Sequence, residues 1–271
     1  MESRFDTDRE SLRAILGTVM LRRLKKEVAR ELPERIEEMI LIEMDEEEMR
    51  LYDEVYHEAR AALQRGNRLE IFRLLTRLRQ CCCHPGLIDP EYTKLSSKLR
   101  HALEMIGELI ANGHSVLFFS QFTRVLDLVE EQLRHRRIPY AKITGAVPGR
   151  ERGQRVKAFQ KRDRAEVFLL SLKAAGTGLT LTKADYVILF DPWWNPAVEN
   201  QAIDRTHRIG QDKTVVAYRL VACHTVEENV IRLQEQKREL FDGLVNAAGE
   251  EEQMGMELIA ELLGSSFTTS R

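Results

Sequence analysis

The chain has 271 residues, with 41 Lys and Arg against 43 Asp and Glu, a net charge of −2 and a pI near 6.4. That balance excludes a uniformly basic nucleic-acid coat, so any grip on a backbone must come from local clusters; 43% hydrophobic and 31% charged residues exclude wholesale disorder. No run reaches the length of a membrane span and the charged amino terminus lacks a secretory apolar core, so the expected location is intracellular: cytoplasm or nucleoid in a bacterium, nucleus in a eukaryote.

Residues 7–31 are dense in good helix formers, with Leu12, Ile15, Leu16, Val19, Leu24 and Val28 near helical spacing and Arg22, Arg23, Lys25 and Lys26 on other faces, until Pro33 ends the pattern. Ile36, Ile40, Ile42 and Met44 alternate with mostly acidic neighbours and predict a half-buried strand. Asp45 opens a helix to about residue 64, Gly66-Asn67 interrupts it, and a second helix runs over 69–82. Residues 1–92 therefore read as a mainly helical protrusion, closed by a stretch over 84–95 with two prolines and a glycine. Cys81, Cys82 and Cys83 are adjacent on a helix and point in different directions, so the expectation is buried, reduced thiols and no metal site; Cys223 is read as packing.

Residues 93–247 change character. Ser96 or Ser97 caps a helix that stops at Asn112-Gly113. Residues 116–119 are an apolar strand ending at Ser120 and Gln121, where hydroxyl and amide groups bond phosphate; a helix cap made by Ser120 is the competing reading. A short strand over 140–143 ends at Thr144-Gly145, before an arginine-rich helix over 148–160. Residues 167–170 and 186–190 are continuous apolar runs of the kind buried on both faces of a parallel sheet. The first empties into Ala175-Gly176-Thr177-Gly178; the second is closed by Asp191-Pro192, two tryptophans, and an Asn195-Pro196 helix start. The spacing places Gln201, Asp204, Arg205 and Arg208 on one face of a helix that leaves the carboxyl end of a strand, where α/β folds bind ligands. Two arginines one turn apart make a double fork for phosphate oxygens, and an Asp204–Arg208 salt-bridge ladder is the plain alternative. A β-rich run over 214–221 and a long charged helix over 226–246 come next, and residues 248–271 form an acidic linker, a short amphipathic turn and a polar tail. The pattern is α/β, a parallel sheet flanked by helices, behind a helical protrusion.

Several strings are specific enough to carry a resemblance. Leu170-Ser171-Leu172-Lys173-Ala174-Ala175-Gly176-Thr177-Gly178-Leu179 and the segment from Asp191 to Gln211 resemble motifs V and VI of the Swi/Snf family of superfamily-two helicase-like ATPases. Residues 115–122 resemble its motif IV, and Ile143 to Gly145 with Arg152, Arg155 and Phe159 the segment after it. Met20-Leu21-Arg22-Arg23 with Glu31-Leu32-Pro33, and Leu78-Arg79-Gln80 with His84-Pro85, resemble the linker between the two motor lobes, so the likeness runs to about Leu244.

The resemblance implies a RecA-like carboxyl-terminal lobe of a DNA-dependent ATPase that translocates on duplex DNA and remodels a DNA-bound protein. Arg205 and Arg208 then stand where arginine fingers act on ATP. Gly176, Thr177, Gly178 and Gln201 stand where nucleotide is approached, and Ser120, Gln121, Thr144, Gly145, Ser171, Lys173 and Trp194 where the DNA backbone is met. Packing is the competing role for either tryptophan. The chain contains no G-x-x-x-x-G-K-[ST] loop and no Asp-Glu-x-His, so ATP and Mg²⁺ are expected mainly on an amino-terminal lobe, and these 271 residues alone are expected to be inactive. Two rival classes remain at the level of sequence: a non-catalytic interaction module derived from a motor lobe, and a strand-separating helicase lobe.

Overall fold

Among the described residues, six strands, all parallel, are laid out in the order β1-β6-β5-β2-β4-β3. The structure is a computed structural model that describes residues 32–175, 178–241 and 262–264. The elements in chain order are β1 (Arg35–Ile42), α1 (Glu46–Gln64), α2 (Arg68–Cys83), a 3-10 turn (Pro85–Leu87), α3 (Ser97–Ala111), β2 (Val116–Ser120), α4 (Thr123–His135) and β3 (Tyr140–Ile143). They continue as α5 (Gly149–Lys161), β4 (Val167–Ser171), the four-residue α6 (Leu172–Ala175), β5 (Tyr186–Leu189), α7 (Pro196–Ile203), β6 (Val215–Ala222) and α8 (Val226–Phe241).

The central strands are buried on both faces, which is why their sequences are unbroken apolar runs. Period-two alternation splits them between two cores. Val116 and Phe118 face the layer of α3 and α4 with Leu103, Ile106, Leu126 and Val129; Leu117 and Phe119 face the other with Phe159, Phe168, Leu170 and Ile203. β1 lies at the edge with only β6 beside it, and its outward Met39 and Leu41 are exposed. The half-buried strand expected over 36–44 thus forms, with Ile42 buried and Ile36 left at the rim.

The helix starts obey their caps. Asp45 and Glu48 close a reciprocal box at α1, where the Glu48 N–H donates to Asp45 Oδ1 at 2.9 Å and the Asp45 N–H to Glu48 Oε2 at 3.0 Å. Ser96 caps α3 through the Leu99 N–H and Asn195 caps α7 through Ala197. Ser120 is no cap in the strict sense: its Oγ accepts from the Phe122 N–H at 3.1 Å in a local turn, and Phe122 occupies the cap position of α4.

Contacts cross the boundary expected after residue 92. β1 pairs with β6 along its whole length, and the α1–α2 hairpin packs on Ala222 and Val226 through Leu51, Val55, Leu74 and Leu78. Residues from Pro33 onward form one compact unit, because the amino-terminal segment supplies a sheet edge as well as a helical pair. The helix predicted over 7–31 lies outside the described residues, as do the tail beyond 241 apart from 262–264 and the pair Gly176 and Thr177.

Candidate functional site

The predicted site residues divide between the two ends of the sheet. At the carboxyl ends of β2, β3 and β4 lie Ser120 and Gln121, Thr144 and Gly145, and Ser171 with the backbone of Lys173 in α6 just after it. α7 starts near the carboxyl end of β5 and runs back, so the turn beyond its last residue lies at the other end. There the Thr206 hydroxyl donates to the Ala184 carbonyl, just before β5 begins, and His207 Nε2 meets the Pro33 carbonyl, just before β1. Arg205 and Arg208 belong to this amino-end group.

The shared helical face forms only in part. α7 ends at Ile203 with Asp204 as its cap, so Arg205 and Arg208 sit on a hydrogen-bonded turn beyond the helix, not one turn apart on it. The salt-bridge ladder is absent among the described residues: Asp204 pairs with Arg35 at 3.6 Å, and no carboxylate among them reaches ion-pair distance of Arg205 or Arg208. Arg205 is half-buried, its Nε buried without a partner. Burial, and behind it the like charge of Arg208, holds its pKa below the ordinary arginine value, with Asp204 opposing. Arg208 is exposed, and among the described residues its guanidinium donates to the Thr180 hydroxyl at 3.4 Å. Gln201 is exposed on the last turn of α7. Gly178 has φ +73°, a backbone state glycine enters without strain, and opens the segment that leads to Thr180. A half-desolvated guanidinium with an orphaned N–H beside an exposed one is a site short of negative charge, and phosphate oxygens fit it. Among the described residues no group of three or more His, Cys, Asp or Glu converges as a metal site.

At the carboxyl end three of the expected residues are engaged by the fold itself. Ser120 is fully buried in its turn, and Ser171, 4% exposed, accepts from the Ala174 N–H at 3.4 Å, so both hydroxyls shape loops. Gln121 is half-buried; its N–H donates to the Asp191 carboxylate at 3.2 Å and its Nε2 is buried without a partner. Gly145 is exposed and Thr144 half-exposed on a loop clasped by Arg152, which donates to the Val147 carbonyl at 2.6 Å and the Gly145 carbonyl at 2.8 Å. Trp194 packs against Val230, Leu233 and Leu262, and Arg79 stacks over its ring with the guanidinium carbon 4.5 Å from the ring centre. The half-buried ring thus has a cation–π contact on it and an apolar cluster beside it.

Sequence reasoning missed what holds this loop. Arg79, 5% exposed, donates to the Pro192 carbonyl at 2.8 Å. Glu199 accepts from the Trp193 N–H at 2.7 Å and pairs with Arg219 at 2.9 Å, and Gln234 of α8 donates to the Trp193 carbonyl. Beside it a buried ion pair, Lys98 to Glu227 at 2.5 Å, ties α3 to α8. Burial depresses the Lys98 ammonium, and the carboxylate of Glu227 more than restores it, so its pKa lies above the ordinary lysine value. The signal was present in the sequence: Arg79 has Leu75, Leu78, Cys82 and Cys83 as its helical neighbours, which places a charge within an apolar stripe.

Two family models match the chain, a helicase conserved C-terminal domain over residues 97–210 and an SNF2-related domain over 2–87. An ATP-dependent helicase of Mycoplasma genitalium, described as uncharacterized, is 39% identical over 224 residues, covering 82% of this chain and 22% of that protein. The human SWI/SNF-related matrix-associated actin-dependent regulator of chromatin subfamily A member 1 is 36% identical over 255 residues, 89% of this chain and 24% of that protein. The chain thus spans about a quarter or less of these relatives' lengths. Among solved structures, the Sulfolobus solfataricus SWI2/SNF2 ATPase core in complex with dsDNA superposes with a TM-score of 0.71 at 27% identity, covering 95% of this chain and 56% of that one.

Proposed function

The chain belongs to the Swi/Snf family of helicase-like ATPases as a carboxyl-terminal motor lobe, and from that premise we propose that the full protein is a DNA-dependent ATPase that translocates on duplex DNA and remodels a protein bound there. The observation that carries the reading is the amino-end turn. Two guanidinium groups, with no carboxylate at ion-pair distance among the described residues, stand side by side on a backbone whose own hydrogen bonds are satisfied, one exposed and one with an orphaned N–H.

Bound ATP, with Mg²⁺ held mainly by an amino-terminal lobe, supplies the scissile phosphoanhydride. Arg205 and Arg208 deliver positive charge to the phosphoryl oxygens when the lobes close, which couples closure to chemistry. Gln201 borders the same surface, and Gly178, with Gly176 and Thr177 before it, lets backbone approach the nucleotide. The grip on the DNA backbone falls to the carboxyl edge, to Gln121, Thr144, Gly145 and Lys173, with Ser120 and Ser171 setting the loops that present them.

The test is Arg208→Ala in the two-lobed protein, with duplex-DNA binding and DNA-stimulated ATP turnover measured together. Binding is expected to persist while turnover is lost; normal turnover would remove Arg208 from catalysis. The 271 residues alone are expected not to hydrolyse ATP, and activity that survives repurification would place the phosphate site within them.

A further inference from the structure

The last residue of the Arg-Ile-Gly-Gln string, Gln211, is neither a finger nor a nucleotide contact, yet it is 6% exposed and its side chain is hydrogen-bonded at both ends. Its Nε2 meets only oxygens: the carbonyls of Ala184 at 2.8 Å, Thr182 at 3.0 Å and Thr206 at 3.3 Å, and the Thr206 hydroxyl at 3.2 Å. Its Oε1 meets only donors, the N–H groups of Asp212 and Lys213, each at 3.1 Å. Such a split fixes which end of the amide is which, and neither a carboxylate nor an apolar group reproduces it.

Gln211 closes the arginine turn. Its own N–H donates to the Arg208 carbonyl at 2.9 Å, and its side chain reaches the Thr206 carbonyl, so residues 206–211 form a ring with Arg208 and Ile209 on the outside. Gly210, at φ +97°, makes the reversal. The same side chain holds Thr182 and Ala184, and that segment carries both Thr180, the hydroxyl beside Arg208, and Leu181, whose N–H donates to the Arg205 carbonyl at 2.8 Å. One buried amide therefore fixes the backbone under both arginines.

We infer that Gln211 is the positioning residue for Arg205 and Arg208. The inference rests on the reading that these arginines act on nucleotide. An exposed arginine on an unbraced turn must be ordered anew at every lobe closure. A turn stapled from beneath settles its backbone beforehand, leaving only the side chain to find the phosphate.

The experiment compares Gln211→Met and Gln211→Glu with Arg208→Ala in the two-lobed protein, reading ATP kcat and KM, duplex-DNA affinity and melting temperature. Gln211→Glu sets a carboxylate oxygen against three carbonyls and is the harsher change; Gln211→Met keeps the length and removes the donors. For Gln211→Met the expected result is kcat down by about tenfold or more, with KM for ATP and DNA affinity each within about threefold, the mark of an interaction needed in the transition state alone. Adding Arg208→Ala to that background costs much less than the product of the two separate losses, because both changes disable one device. A folded Gln211→Met protein with wild-type kcat, or losses that multiply, overturns the inference. If Gln211→Met does not fold, Thr206→Val removes only the hydroxyl that meets the same amide, and it must give a smaller loss confined to kcat; an unchanged kcat there overturns the inference too. Arg208→Ala alone separates the two failures: dead Arg208→Ala with normal Gln211→Met sinks only the positioning role, whereas active Arg208→Ala sinks the functional reading on which it stands.

Discussion

Two loops at opposite ends of the sheet are held by different bonds. At the carboxyl end the loop over 191–196 is locked by buried charge: Arg79 against Pro192 and Trp194, Glu199 against Trp193 and Arg219, with Lys98–Glu227 alongside. At the amino end the turn over 204–211 is fastened largely by neutral hydrogen bonds from Thr206 and Gln211, and among the described residues no carboxylate reaches ion-pair distance of its two arginines. The charges around the 191–196 loop are consumed by the fold, whereas on the 204–211 turn Asp204 is paired with Arg35 and Arg208 stays exposed. The same residue type, arginine, is a structural post at position 79 and an open fork at position 208, and what separates them is whether the neighbourhood already satisfies them.

The contrast is sharpest if mutations at the two ends fail in different assays. Arg208→Ala should cut DNA-stimulated turnover by about 10³ to 10⁵, roughly 4–7 kcal/mol of barrier, while urea unfolding moves by less than about 0.5 kcal/mol. A comparable loss of stability would erase the distinction. Lys98→Met should do the reverse: it strands Glu227 in the interior and should lower unfolding free energy by about 3–5 kcal/mol. Arg79→Met removes one hydrogen bond to Pro192 and the stacking on Trp194 but also relieves a desolvated guanidinium, so a smaller loss of about 1–2 kcal/mol is expected in the same titration.

At ordinary pH the remaining effect vanishes, because it appears only under alkaline conditions. Burial, and behind it the charge of Glu48, pushes the Cys81 thiol from 9.0 up to about 12, and burial raises Cys82 and Cys83 in the same direction. The unfolded chain loses these protons first, so stability should fall as pH rises from about 9 towards 12, and Cys81→Ala should flatten that slope. Denaturant midpoints measured across that window check it; a slope unchanged in the variant would show that the thiol does not titrate on unfolding.

Much of the architecture was legible in the chain. The unbroken apolar runs at 116–119, 167–170 and 186–190 could only be strands buried on both faces, and Asp45, Ser96 and Asn195 marked helix starts because each offers an oxygen to free N–H groups. The pairing of β1 with β6 joins residues about 180 positions apart, and no local pattern encodes such a partner, which is why residues 1–92 read as a separate protrusion. The arginines were found by spacing, but spacing assumed a helix that in fact stops at Ile203.

Sequence by itself determined the parallel α/β fold, the helix caps and the presence of two neighbouring arginines, because periodicity, capping and composition act over a few residues. Only the tertiary structure decided which charges are committed: it buried Arg79 beneath Trp194, paired Lys98 with Glu227, sent Asp204 to Arg35, and left Arg208 exposed on a turn fastened by Gln211. The physical reason is that a charge's role depends on the solvent and partners around it, and those are assembled from segments far apart in the chain.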